Sequence, residues 1–412
     1  MTDIQKENKS GGKVPNLRFP SFYGDWEVKK LGDLLEFKNG INASKEQYGK
    51  GVKFINVLDI LNNDFITYES IIGKVDVDST IIEKFSVQYG DVLFQRSSET
   101  REEVGTANIY LDKDKIATFG GFVIRGKKIG NYNPIFFNKL LKTESARESI
   151  TSKSGGSTRF NIGQDILSSI SLYFPSIYEQ DRIASFFSLI DERIQTQNKI
   201  IEQIEFYFKG IKDTLFSQKI RFGGFAEDWE TKKLGDVLLK NSTKNKNQKY
   251  STVQSVSNKY GFINQEDIFE DRRVASVDTS NYYVIDKGCF AYNPSRINVG
   301  SLAYKFDDEI SIISPLYISF KAENIFLIDT FLLYWFKTIE FTKQMNNSFE
   351  GSVRNTLSYE NLIKMNISIP SLEEQIQISS FLTKIDQKIQ TEKTILEQLE
   401  TQKKYLLQQM FV

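Results

Sequence analysis

The chain is written twice, and that fact limits its possible folds more than any composition value does. Residues 18–35 match residues 221–238 at twelve of eighteen positions. The shared core is Asp25-Trp26-Glu27 with Lys29-Lys30-Leu31-Gly32-Asp33 against Asp228-Trp229-Glu230 with Lys232-Lys233-Leu234-Gly235-Asp236. A second match, at a shift of about 195 rather than about 203, pairs the stretch after Pro175 with the stretch after Pro370. It includes Ile190-Asp191 with Ile385-Asp386 and Glu202-Gln203 with Glu397-Gln398. Repeats of this length mean two copies of one fold, and the surplus residues of the first copy fall between Leu35 and Val104, where the copies otherwise differ. A conserved frame around changed filling suggests two related readers of different targets.

Each copy closes with a heptad seam. In the first, Ile183, Phe187, Ile190, Ile194, Gln197 and Ile201 follow one another in alternating steps of four and three; in the second, Ile378, Leu382, Ile385, Ile389, Glu392 and Leu396 keep the same register. Such spacing draws an apolar stripe down one side of a helix. A helix from about Glu179 to Phe216 would be roughly 57 Å long at 1.5 Å per residue, more than one domain needs to cover its core. The two seams are expected to bury each other as an intramolecular antiparallel coiled coil, giving an approximate two-fold repeat. The competing reading is a dimerisation arm that pairs between chains.

Between these motifs, short β-rich runs alternate with Gly, Asn and Asp turns: Val52–Ile55, Asp91–Phe94 and Phe122–Ile124, then Cys289–Tyr292 and Leu316–Phe320. They predict mixed sheets with few helices apart from buried ones near Pro134–Lys142 and Asp329–Lys337. The fold class is therefore α+β. The expected organisation is a loose polar tail over 1–17, without the apolar core of a signal peptide, then domains over 18–174 and 221–369 and long helices over 175–220 and 370–412.

Composition removes several chemistries. There is no histidine and a single cysteine, Cys289, so disulfides, cysteine-rich zinc sites, histidine general bases and the Ser-His-Asp triad are excluded. No metal ligand set is expected. With 53 basic and 53 acidic residues, no overall positive charge announces a nucleic-acid partner, so any DNA-binding face must be local. The most apolar stretch, Ile325 to Phe336, is too short to cross a bilayer, so no membrane partner is expected and the cytoplasm is the expected compartment.

Polar groups suited to base edges and phosphates follow a predicted strand in each copy: Arg96, Ser97, Ser98 and Arg101 in the first, Asn293, Ser295, Arg296 and Asn298 in the second. Glycine-led loops add Ser157, Thr158 and Arg159, and Ser352 and Arg354. Lys244 and Lys246 lie in a basic stretch free of acids, suited to phosphates. Any one of these could be an ordinary solvated loop, and recurrence in both copies is what makes them DNA-binding candidates. Tyr292-Asn293-Pro294-Ser295 partly matches an adenine-methyltransferase motif but lacks its second proline and aromatic, and no glycine-rich cofactor loop accompanies it. Glu27 and Lys29, like Glu230 and Lys232, sit in the tryptophan motif without the separate upstream aspartate of a nuclease metal site, so a packing or surface role is expected. No catalytic residue is assigned.

The layout, with two domains each opened by Asp-Trp-Glu and Lys-Leu-Gly-Asp and closed by Pro175-Ser176 with Glu179-Gln180 or Pro370-Ser371 with Glu374-Gln375, resembles the specificity subunit of type I restriction-modification systems. The resemblance spans about Arg18 to Phe411. It implies a non-catalytic subunit that reads a bipartite double-stranded DNA site, one half per target-recognition domain, with the helices setting the gap. It further implies methyltransferase (modification) subunits that use S-adenosylmethionine for adenine methylation and restriction motor-nuclease subunits as partners, with no cofactor in this chain. The alternative function is a two-domain coiled-coil scaffold that organises protein partners without sequence-specific DNA binding.

Overall fold

A computed structural model of the chain describes residues 14–156, 158–258, 260–268, 278–349 and 355–412. The chain forms two compact units. The first contains the chain up to Asn198 together with Thr394–Val412; the second is Lys199–Lys393. Each long helix is therefore divided between units, which differs from a division that gives each domain its own helix.

In the first unit, strand Glu27–Lys30 pairs antiparallel with Ser171–Phe174, so the opening motif of the domain is tied to its end. Leu31 N–H continues the junction by donating to the Ile170 carbonyl at 2.8 Å. Asp33 turns the chain, its carboxylate accepting from Lys30 N–H at 3.1 Å. Gly32 packs closely on Ser168, where a Cβ would meet the hydroxyl oxygen at 2.0 Å and the carbonyl oxygen at 3.1 Å. The main sheet has the order Leu35–Asn39, Val123–Lys128, Val92–Gln95, Ala107–Ile109, all antiparallel. A smaller sheet places Tyr48–Ile55 between Lys74–Val75 and a parallel neighbour, Thr118–Phe119. Helix Pro134–Leu141 covers the core, and its start shows why the sequence turns there. Pro134 sits in the first turn and the Asn133 side chain accepts from Ile135 and Phe136 N–H.

The second unit repeats this frame. Glu230–Lys233 pairs with Asn366–Ile369, and the main sheet runs Leu238–Lys240, Ile318–Ala322, Phe290–Tyr292, Leu302–Tyr304. Val253–Ser257 lies parallel to Ser311–Ile313 in the smaller sheet, as its counterpart does in the first unit. Strands and buried helices thus form at the places expected from sequence. Helices Glu144–Thr151 and Ile339–Asn347 are additions.

The first long helix spans Ile177–Phe216 and the second Leu372–Gln409. All twelve seam positions are buried or half-buried. In the first unit, Asp191 on the first helix pairs with Lys403 on the second at 2.7 Å, while Phe187 lies against Phe411 with ring centroids 5.9 Å apart. Moving back along one helix moves forward along the other, so the two run antiparallel. Within the second unit Glu205 meets Lys393 at 2.6 Å, and Leu215 shares a core with Ile378 and Leu382, giving the same sense. The pairing joins parts of one chain. Residues expected in the loose tail are held as well: Leu17 N–H donates to the Gln409 carbonyl at 2.8 Å.

Candidate nucleic-acid interface

The frame around each sheet is fixed by the Glu-Gln pair that opens the long helix. Glu179 takes both arms of the Arg18 guanidinium at 2.7 Å each, and Glu374 takes Arg221 at 3.0 and 2.7 Å. These are charge-assisted, bidentate pairs with the carboxylates buried. The hydrogen bond to Glu179 raises the Arg18 pKa above its usual value, and the bond to Glu374 does the same for Arg221. Gln180 bridges the Pro175 carbonyl and the Asn133 N–H at the start of the buried helix, and Gln375 bridges the Pro370 carbonyl and Ile328 N–H. The motif residues thus hold strand pair, buried helix and long helix in one geometry, leaving the outer ends of the main sheet free to vary.

At that outer end in the first domain, two loops far apart in sequence come together. Phe160–Asn161 pairs antiparallel with Ser97–Ser98, and Ile162 N–H donates to the Arg96 carbonyl at 3.0 Å. Arg96 is exposed and lines an open cleft of about 770 Å3 with Asn39, Gly155, Gly156, Asn161 and Gln164. Gly156 adopts φ +123°, and a Cβ there would strike the Arg159 carbonyl at 2.1 Å, so the loop closes only with glycine. Thr158 and Arg159 are exposed on it. Ser157, Ser352 and Arg354 lie outside the described residues.

Other candidates are engaged internally. The buried Ser98 hydroxyl donates to Glu103 at 2.8 Å, and Arg101 donates to the Thr151 and Ser152 carbonyls at the end of a helix. Lys244 donates to the Asn281 carbonyl at 2.7 Å and stands 3.3 Å from the centre of the Tyr283 ring. Lys246 is exposed.

In the second domain Ser295, Arg296 and Asn298 are exposed, and the Asn293 side chain accepts from Ser295 N–H at 3.0 Å. Tyr292 is fully buried in a strand, and its hydroxyl donates to the Leu357 carbonyl at 3.2 Å. The Tyr292-to-Ser295 segment is therefore part of the framework on one side and a loop on the other. Glu27 with Lys29 and Glu230 with Lys232 form ion pairs within the opening strands. Among the described residues, no group of three or more Cys, Asp or Glu is placed to hold a metal. The Cys289 thiol donates to Asp286 and is pushed up to about 11, chiefly by burial.

Register shows how the two loops differ. Phe94 pairs with Ala107 and Ile124, and Tyr292 pairs with Leu302 and Ile318 at the same places in the other main sheet. Counting on from this pair, Arg96 corresponds to Pro294, and Arg296 lies two residues further along a shorter loop. The Pro294 carbonyl confirms the match by accepting from Leu357 N–H at 3.0 Å, as the Arg96 carbonyl does from Ile162. The arginines thus occupy different positions on equivalent loops. Asn39 and Gln164 belong to the cleft although nothing in the sequence marks them, since only the fold brings three distant segments together.

Comparison with known proteins follows the same division. The type I restriction modification DNA specificity domain family matches residues 23–206 and again residues 226–401. The type I restriction enzyme MjaVIII specificity subunit of Methanocaldococcus jannaschii is 26% identical, over 96% of this chain and 93% of the relative. Among solved structures, the S subunit of a type I restriction-modification system from M. genitalium shares the fold with a TM-score of 0.56 at 17% identity, covering 97% of this chain and 99% of that one. A chain from a study of complex assembly and conformational transition of the type I R-M system gives 0.57 at 15% identity, covering 93% and 96%. With two copies of the specificity domain and full-length likeness in sequence and fold, this chain belongs to the type I restriction-modification DNA specificity family and is a specificity subunit of that kind.

Proposed function

We propose that each domain reads one half of a split double-stranded DNA site and that the chain, itself non-catalytic, presents that site to partner subunits in the cytoplasm. Those partners are methyltransferase subunits that take S-adenosylmethionine and methylate adenine, and motor-nuclease subunits that restrict unmodified DNA. One observation carries the reading: equivalent loops beside the same strand of the main sheet bear different side chains, Arg96 standing where the second domain has Pro294 and Arg296 standing two residues beyond that place. A shared scaffold with altered donors is what two different half-sites require. The absence of histidine from the sequence and the lack of net charge fit a subunit that leaves chemistry and much of the phosphate clamp to others.

The test is long-read mapping of methylated adenines in a host with and without this chain, with the partner methyltransferase subunit kept in place. Loss of methylation at a split, asymmetric motif is expected when the chain is removed. Unchanged methylation in cells that demonstrably express it would refute the reading.

A further inference from the structure

Beside each of these loops the main sheet is entered by a tight turn carrying a large apolar side chain in water. In the first domain the turn is Gly120-Gly121-Phe122-Val123, closed by Val123 N–H donating to the Gly120 carbonyl at 2.8 Å; in the second it is Ser314-Pro315-Leu316-Tyr317, closed the same way at 3.1 Å. The strand register that equates Ile124 with Ile318 also equates Phe122 with Leu316. Phe122 is 66% exposed and Leu316 77%. Each turn is rigid by construction. Gly40 and Gly120 approach so closely that a Cβ on Gly40 would lie 2.1 Å from the Gly120 carbonyl oxygen, while Pro315 pre-sets the backbone of the second turn.

Phe122 is also fixed against the polar loop. Its carbonyl accepts from Arg96 N–H at 2.9 Å, and the Arg96 guanidinium reaches the Gly121 carbonyl at 3.4 Å. Continuing the Tyr292–Ile318 register by two residues sets Leu316 across from Pro294, which has no N–H to donate, so the second turn lacks the hydrogen bond that ties Phe122 to Arg96. Holding an aromatic ring and a leucine in water at the same tip of both domains forfeits the gain of burying them. DNA readers place such apolar groups beside their arginines, where they meet the methyl of thymine or wedge against a base step.

We propose that Phe122 and Leu316 are specificity-determining residues that press on the apolar surface of a base, Phe122 in one half of the site and Leu316 in the other. This rests on the DNA-reading function proposed above. Arg96 and Phe122 then act as a pair, the guanidinium satisfying polar base or phosphate atoms while the ring occupies the adjoining apolar surface. In the second domain Leu316 is the smaller version of the same contact.

The test uses the full complex with its methyltransferase subunits and a duplex containing the motif found by methylation mapping. Phe122→Ala should weaken binding to that duplex about tenfold and relax one position in one half of the motif, leaving discrimination in the other half intact. Leu316→Ala should do the converse, and Phe122→Leu should restore most of the loss. If the contact is to a thymine methyl, replacing that thymine by deoxyuridine reproduces the loss and adds nothing to Phe122→Ala. If it is a wedge, 2-aminopurine at the contacted step, away from the methylated adenine, brightens with the native complex at saturation and not with Phe122→Ala. Variants that keep native affinity and selectivity in both halves, or that weaken binding to all duplexes equally, would overturn the proposal while leaving the DNA-reading function standing. A native complex that fails to distinguish its motif from scrambled duplex would instead remove the function on which the proposal depends.

Discussion

At the scale of single residues, position on the loop rather than residue type decides what a polar side chain can do. Arg101, Lys244 and Ser98 have the same chemistry as the exposed candidates, yet their donors already serve backbone carbonyls or Glu103. Arg96 makes one long side-chain contact, to the Gly121 carbonyl at 3.4 Å, and both it and Arg296 are exposed. Replacing either by Ala should cost about 1–3 kcal/mol on the native site and relax one half of the motif only, measured by binding to single-base variants of each half. Uniform weakening across sequences would mark a phosphate contact instead. Cys289 provides a second residue-level expectation. With its thiol pushed up to about 11 by burial, it stays protonated below that pH, and the thiolate that reacts is scarce throughout the neutral range. Thiol reagents at pH 7–8 should label it slowly in the folded chain and rapidly in denaturant; fast native labelling would contradict the buried placement.

Elements are joined by different means in the two units although the frame is shared. In the first, Asp191 of the long helix is held between Lys139 of the buried helix at 2.6 Å and Lys403 at 2.7 Å, and the Lys139 side chain is only 2% exposed. In the second, the corresponding Asp386 meets the Tyr334 hydroxyl at 3.5 Å and Lys337 at 3.7 Å and is about one-third exposed. The consequences of neutralising each carboxylate follow from burial. Asp191→Asn strands a buried ammonium and should destabilise the first unit by about 3 kcal/mol, whereas Asp386→Asn should cost less than about 1 kcal/mol. Urea unfolding with hydrogen exchange to localise the loss checks both. Equal effects would mean that the buried network is not what holds the first helix in place.

For the whole chain, the important feature is that sequence neighbours are not structural neighbours at the C-terminus. Phe411 stacks on Phe136 at 5.4 Å and packs edge-on to Trp26 at 6.2 Å, in the core of the first unit, almost 400 residues from the start of that domain. Phe411→Ala should therefore lower the stability of the first unit by about 3 kcal/mol while leaving the second unit's exchange protection unchanged. Loss of protection in Lys199–Lys393 instead would contradict the assignment of the chain end. The arrangement also means that the first unit is completed by a second, distant stretch of chain, whereas the second unit is the single continuous stretch Lys199–Lys393.

The sequence alone determined the duplication, the α+β class, both long helices and the residues of their seam, because these rest on periodicity and repetition, which are local properties. The first helix begins at Ile177 where Glu179 was expected, and the strands fall on the β-rich runs. The motif Glu-Gln was visible too, though not its use in bridging Pro175 to Asn133. Tertiary structure decided what local pattern cannot carry: that Asn161 lies beside Ser97, that Arg96 and not Arg101 faces the cleft, and that Arg96 is matched by Pro294 rather than Arg296. A side chain's availability depends on whether a distant carbonyl or carboxylate has already taken its hydrogen bonds, and that is settled only when strands separated by sixty residues or more come into register.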